Sequence, residues 1–229
     1  MAAPTPRGRS MWARRGLASR ASLDRTTQAM LLRQLYLAHY EQRHFAQATE
    51  VAYQSLELGV LRDVVHQDAA RAFAGLGDVE AAAGHLRLAA RHGPPSRRAF
   101  HWWTLGSLYF NVDRLEEAIG ALSRAARWGT RDKALYQAHL ALARFATGAR
   151  SDDLGELFER LESAPAGQGY GRFVLGHLAF HRGSLPEAEK LLRAFVERTV
   201  SGRPATAIAL AAEIIRAKRT LASIEDPSR

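Results

Sequence analysis

The chain has 229 residues, 47% hydrophobic and 8% aromatic, and no cysteine. That length suits one domain or one short repeat array; the absence of thiols excludes disulfides, thiolate metal sites, cysteine nucleophiles and lipid attachment through cysteine. The net charge of +9 is unevenly placed: residues 1–22 hold five arginines and no acid, leaving +4 for the other 207 residues, so the rest of the chain lacks the broad positive face of a nucleic-acid reader.

Residues 1–22 mix Pro4, Pro6, Gly8 and Gly16 with Arg7, Arg9, Arg14, Arg15 and Arg20. No apolar run in the segment makes a secretory signal, and no stretch of ~20 apolar residues anywhere makes a membrane span. It is expected to be a disordered basic leader. Two sharper readings are a transit-type targeting leader and an electrostatic tether to nucleic acid or an anionic membrane. Met11 is an alternative start, which would remove two of the five arginines.

From Leu23 onward the pattern is helical, with Asp24 as N-cap. Five helix pairs follow, at about 28–60, 62–96, 99–131, 132–166 and 169–200. In the first, Leu32, Leu35, Tyr36 and His39 mark the leading helix and Ala48 and Ala52 the second; Tyr36 stands where a small residue is expected, so this pair is expected to splay. In the second pair Ala70, Phe73, Gly77, Ala82, Leu86 and Ala89 take the corresponding places. The third is the clearest: Trp102, Leu105, Gly106 and Tyr109 fall at i, i+3, i+4 and i+7, and Leu115, Ala118, Ile119, Leu122 and Ala125 line one face of the next helix. Gly106 and Ala118 are small enough to let the two backbones approach. In the fourth pair Gly148 marks the turn and Ser151 caps a helix carrying Leu154, Leu157, Phe158 and Leu161. The fifth has Leu175, Gly176, Ala179, Gly183, Ala188 and Leu192, with Ser184-Leu185-Pro186-Glu187 as a capping box.

The breakers keep one period. Arg43, Gly77, Asp113, Gly148 and Gly183 are separated by 34, 36, 35 and 35 residues, and Gly59, Gly93 and Gly129, placed after second helices as left-handed caps, by 34 and 36. After Pro204 one further helix, 205–224, is expected to cap the array with Ile208, Ala211, Ala212, Ile215 and Leu221 inward and Glu213, Arg216, Lys218 and Arg219 elsewhere. Residues 225–229 are expected to fray.

The spacing Trp102-x2-Leu105-Gly106-x2-Tyr109, followed by Ala118, Leu122 and Ala125, resembles the signature of the tetratricopeptide repeat (TPR) family, with Thr130 where that family favours proline. The resemblance implies an all-α right-handed α-solenoid of about five TPR-like helix-turn-helix repeats plus the C-terminal capping helix. It also implies that the free faces of the leading helices line a concave groove. Those positions are Met30, Arg33, Leu37 and Tyr40; Val64, Gln67 and Arg71; Phe100, Trp103, Ser107 and Phe110; Leu135, Ala138, Leu142 and Phe145; and Tyr170, Phe173, His177 and Phe180. Eight are aromatic, more than a solvated face carries. Arg33, Tyr40, Arg71, Phe100, Trp103, Phe110, Phe145, Tyr170, Phe173, His177 and Phe180 are the expected partner-binding residues. Family members that grip a C-terminal carboxylate use lysine and asparagine where this chain has Arg33, Leu37, Asp68, Phe100 and Thr104; Asp68 and Phe100 argue against such a clamp.

No catalytic constellation stands out. Gly167-Gln168-Gly169-Tyr170-Gly171 has no preceding strand and reads as a connector. His177 and His181 lie one turn apart without a third ligand, and Asp152 and Asp153 suit a helix start. Trp12 and Trp128 read as a tail residue and a helix-end packing residue. The expected function is a non-catalytic, cytoplasmic scaffold or adaptor that needs no cofactor and receives an apolar peptide or amphipathic helix of another protein in its groove. The alternative is tethering through the leader to nucleic acid or a membrane surface.

Overall fold

The computed structural model describes residues 5–149 and 154–226, and there the chain is all helical, with no strand. It divides into two compact units, residues 1–97 and 98–229, where the sequence suggested one array over 23–224. Consecutive helices pack on one another, an arrangement consistent with an α-solenoid.

The first unit holds α1 (Pro6–Leu17), α2 (Arg25–Glu41), α3 (Phe45–Glu57), α4 (Arg62–Leu76) and α5 (Val79–His92). Each packs on the next. Most of α6 (Pro95–Asn111) belongs to the second unit, with α7 (Leu115–Trp128), α8 (Lys133–Ala146), α9 (Leu154–Ser163), α10 (Gly171–His181), α11 (Leu185–Val200), α12 (Pro204–Ala209) and α13 (Ala211–Glu225). Here α8 packs on α7, α9 and α10, and α13 lies against α10 and α11.

The five turn residues marked by spacing are all left-handed: Arg43 has φ 59°, Gly77 81°, Asp113 58°, Gly148 83° and Gly183 79°. Each sits inside the same backbone bond. His44, Asp78, Arg114, Ala149 and Ser184 donate to the carbonyls of His39, Phe73, Tyr109, Arg144 and Ala179, at 2.9, 3.0, 3.0, 3.2 and 2.9 Å. This six-to-one closure satisfies a carbonyl that the ending helix would otherwise orphan. Arg43 and Asp113 hold the conformation at a cost of roughly 1–2 kcal/mol each that glycine avoids.

The small residues act as expected. A Cβ on Gly106 would lie 2.5 Å from Leu122 Cγ, and one on Gly176 would lie 2.6 Å from Leu192 Cγ. Glycine and leucine are 16 residues apart in both pairs, so the same close approach recurs 70 residues later. Ala118, Leu122, Ala125, Ala188 and Leu192 are buried beneath these contacts. On α2 the Tyr36 hydroxyl instead donates to the Asp68 carbonyl of α4 at 2.6 Å, and Leu32, Tyr36, Val51, Ala52 and Val65 line a small cavity between α2, α3 and α4.

Several expectations are corrected. The leader is not disordered over its described part: Pro6–Leu17 is helical, with Thr5 Oγ1 accepting from Gly8 N at 3.2 Å and Pro6 in the first turn. Its small residues let it seat on α2, where Gly16 leaves no room for a Cβ beside Leu31 (2.9 Å) and Arg9 pairs with Glu41 at 3.0 Å. Gly59 is left-handed, but Gly93 (φ −72°, ψ 146°) and Gly129 (φ −70°, ψ 127°) are extended. At Gly129 the missing Cβ serves packing instead of handedness: a Cβ would lie 2.5 Å from the Tyr136 ring. Ser184 precedes α11 without a side-chain capping bond, whereas Asp24 accepts from the amides of Thr26 and Thr27 as expected. The expected capping helix is broken at Leu210 (φ −109°, ψ 22°) into α12 and α13. Ser151, Asp152 and Asp153, and the tail beyond Asp226, lie outside the described residues.

Candidate functional site

In the second unit several positions projected to line a groove lie together, and α13 packs over them. Trp103, Ser107 and Phe110 on α6 meet His139 on α8 and Tyr170, Phe173 and His177 at the start of and along α10. Trp103 and Tyr170 meet edge to face with centroids 4.7 Å apart, Phe110 stands 5.2 Å from His139, and Phe173 4.4 Å from His177. Trp103 Nε1 donates to His139 Nδ1 at 3.1 Å, which assigns His139 the neutral Nε2–H tautomer. Burial holds His139 down at about 3, with His177 and Arg216 adding repulsion. His177 donates from Nδ1 to the Phe173 carbonyl at 2.8 Å and is held at about 4, again mainly by burial.

Helix α13 lies across this face, turned away from the expected orientation. Ile215, expected inward, is 52% exposed, and Glu213, expected outward, is 6% exposed. The physical reason is the polarity of the groove wall. Ser107 Oγ donates to Glu213 Oε1 at 2.8 Å, the Tyr170 hydroxyl lies 3.3 Å from the same oxygen, and the two hydroxyls are 2.7 Å apart. Burial raises the Glu213 carboxyl, offset in part by these bonds and by Asn111. One turn on, Arg216 stands 4.5 Å over the Phe110 ring, donates to the Phe110 carbonyl at 2.8 Å and pairs with Asp113. A guanidinium there meets the negative end of α6 and its turn. Thr220 then stands 3.3 Å from His177 Nε2.

Phe110, Phe173 and His177 are therefore buried rather than open. Phe100, Trp103 and Tyr170 are half-buried, as are Phe145 and Phe180, which flank His181 at 5.4 and 5.8 Å. In the first unit Tyr40 belongs to the core, 3% exposed, stacked on Tyr36 and tilted against Phe45. Arg33 and Arg71, half-buried, converge on the buried Asp68 carboxylate at 2.7 and 3.5 Å. Met30 remains exposed at 47%. Trp102, expected in the core, is half-buried under Arg124 and beside Trp128.

Sequence reasoning missed His139, Glu213 and Arg216. The 3-residue spacing of Glu213 and Arg216 marks one helical face, but charged residues on one face read as solvated unless their partners are known. It also missed a histidine cluster in the first unit, where His66 and His85 approach Nδ1 to Nδ1 at 3.0 Å and His92 stacks on His66. Burial and His85 hold His66 at about 4. No group of three or more histidine, aspartate or glutamate residues placed to hold a metal occurs among the described residues. No described helix is long and apolar enough to cross a membrane. The Gly167–Gly171 connector runs from the end of a short 3-10 turn, Pro165–Gln168, into the start of α10, with Gly167 and Gly171 pressed against the Leu161 and Ala166 carbonyls.

No protein-family model matches the chain, and comparison with curated proteins finds no similar sequence.

Proposed function

We propose that this is a cytoplasmic, non-catalytic scaffold or adaptor built from TPR-like repeats, with a groove on α6, α8 and α10 that receives an amphipathic helix of another protein. The periodic left-handed turns and the repeated glycine–leucine approach support the repeat reading. The observation that carries the functional reading is α13 itself, a helix seated on the groove face by Glu213, Arg216 and Thr220. On this reading α13 is the template for such a ligand. One acid must meet the Ser107–Tyr170 hydroxyl pair and one arginine must meet Phe110 and Asp113, spaced i and i+3. A partner helix with that pattern competes with α13 for the same face, which is helix-in-groove recognition with an intramolecular occupant.

The test uses a peptide of residues 204–226 added to a chain ending at Gly202. Binding is expected by fluorescence anisotropy, weakened by ~2 kcal/mol or more when the peptide carries Arg216→Ala. No binding, or equal binding of a scrambled peptide, would remove the groove as a helix receptor.

A further inference from the structure

Helix α1 presents a second surface, on the other unit from the groove. Its inner side is the row Arg9, Ala13 and Gly16, spaced i, i+4 and i+7, which faces α2: Arg9 pairs with Glu41, Ala13 is 2% exposed and Gly16 abuts Leu31. The opposite side therefore centres on Met11, with Arg7, Arg14 and Arg15 around it and Trp12 at its flank. All five are exposed, Met11 at 57% and Trp12 at 59%, and the Arg15 guanidinium lies 5.7 Å from the Trp12 ring. No acid occurs in residues 1–22 to neutralise this side.

We propose that α1 docks the protein on an anionic lipid surface. The arginines match lipid phosphate and carboxylate headgroups in charge, and the Met11 thioether, with the Trp12 indole at its flank, reaches the boundary between headgroups and acyl chains, where tryptophan is favoured. A nucleic-acid backbone would satisfy the arginines but gives the central Met11 nothing to enter. A short amphipathic helix with three outward cations attaches reversibly, and rigid seating on α2 leaves this side exposed without an ordering cost.

The experiment is vesicle flotation of the full chain with phosphatidylcholine alone and with about 30% phosphatidylserine, at low and high salt. Partition into the anionic vesicles is expected to exceed that into neutral ones by about tenfold or more and to fall at high salt. Met11→Ser with Trp12→Ser, which keeps every charge, is expected to lower it about tenfold, and Arg14→Glu with Arg15→Glu to abolish it. Helical circular dichroism and melting temperature, unchanged in both exposed-site variants, show that they fold. A blue shift of tryptophan emission on vesicles, lost in Trp12→Phe, places the indole in the interface. The proposal is overturned by equal partition into neutral and anionic vesicles, or by full binding of the Met11/Trp12 variant. It is also overturned if an RNA or DNA duplex is bound more tightly than the vesicles, or if the exposed side is consumed by self-association.

Discussion

At the scale of single residues, the glycines separate into those that need their missing Cβ and those that do not. Gly106→Ala would set a methyl against Leu122 Cγ at 2.5 Å and 3.2 Å from its backbone nitrogen. The expected loss is about 1–3 kcal/mol in a urea melt, as for other overpacked cores. Gly84, inside α5 with nothing within 4 Å of a Cβ, gives the control: Gly84→Ala is expected to stabilise by roughly 0.5–1 kcal/mol through helix propensity alone. Both substitutions remove a helical glycine, so opposite signs isolate the packing effect. The buried histidines set the acid limit. His66, His139 and His177 are held at about 4, 3 and 4, below the ordinary 6.5, so the unfolded chain binds more protons than the folded one between those values. Their contribution is complete above pH ~6.5 and is lost progressively as pH falls toward 4 and 3. Melting temperature is expected to drop steeply over that window, and His139→Phe to flatten the drop; an unchanged slope in that variant would show His139 protonating freely in the fold.

At the scale of elements, α13 shows how a helix chooses a face. By apolar pattern alone it would turn Ile215 inward; instead Glu213 and Arg216 go in, because the groove wall presents two hydroxyls, a helix-end carbonyl and Asp113. A buried polar group costs little once every bond is made and several kcal/mol when it is not. The carboxyl carries a pH signature of opposite sign to the histidines. Raised above the ordinary 4.5, it binds its proton more tightly in the folded chain, so its contribution weakens as pH rises through the folded value. Glu213→Gln is neutral at every pH and keeps an acceptor for Ser107. Chemical denaturation at pH 5 and pH 8 is expected to show the variant losing less stability between the two than the parent does. A larger loss in the variant would mean that Glu213 is ionised and stabilised by Arg216 instead.

At the scale of the whole molecule, two surfaces of different chemistry lie on different units. The groove on the second is polar and aromatic and is filled by α13; the outer side of α1 on the first is cationic and apolar and unfilled. Salt separates them, since charge-assisted attachment through α1 weakens in a salt range where the groove's buried contacts hold. Of the five arginines that first set residues 1–22 apart, Arg7, Arg14 and Arg15 thus share the exposed side of α1, while Arg9 pairs with Glu41 on its inner side.

What the sequence determined by itself is what depends on local spacing. The five turns at Arg43, Gly77, Asp113, Gly148 and Gly183, the helices they join and the close backbone approach at Gly106 are legible because backbone handedness and helical period act over a few residues. Tertiary structure decided the rest. Whether α1 finds a partner in α2, whether Tyr40 and Phe110 face water or core, and which side of α13 turns inward depend on atoms up to 106 residues away, as between Ser107 and Glu213. The number of hydroxyls waiting opposite a carboxylate is written in no helical period, and so only the folded chain could assign the groove its occupant.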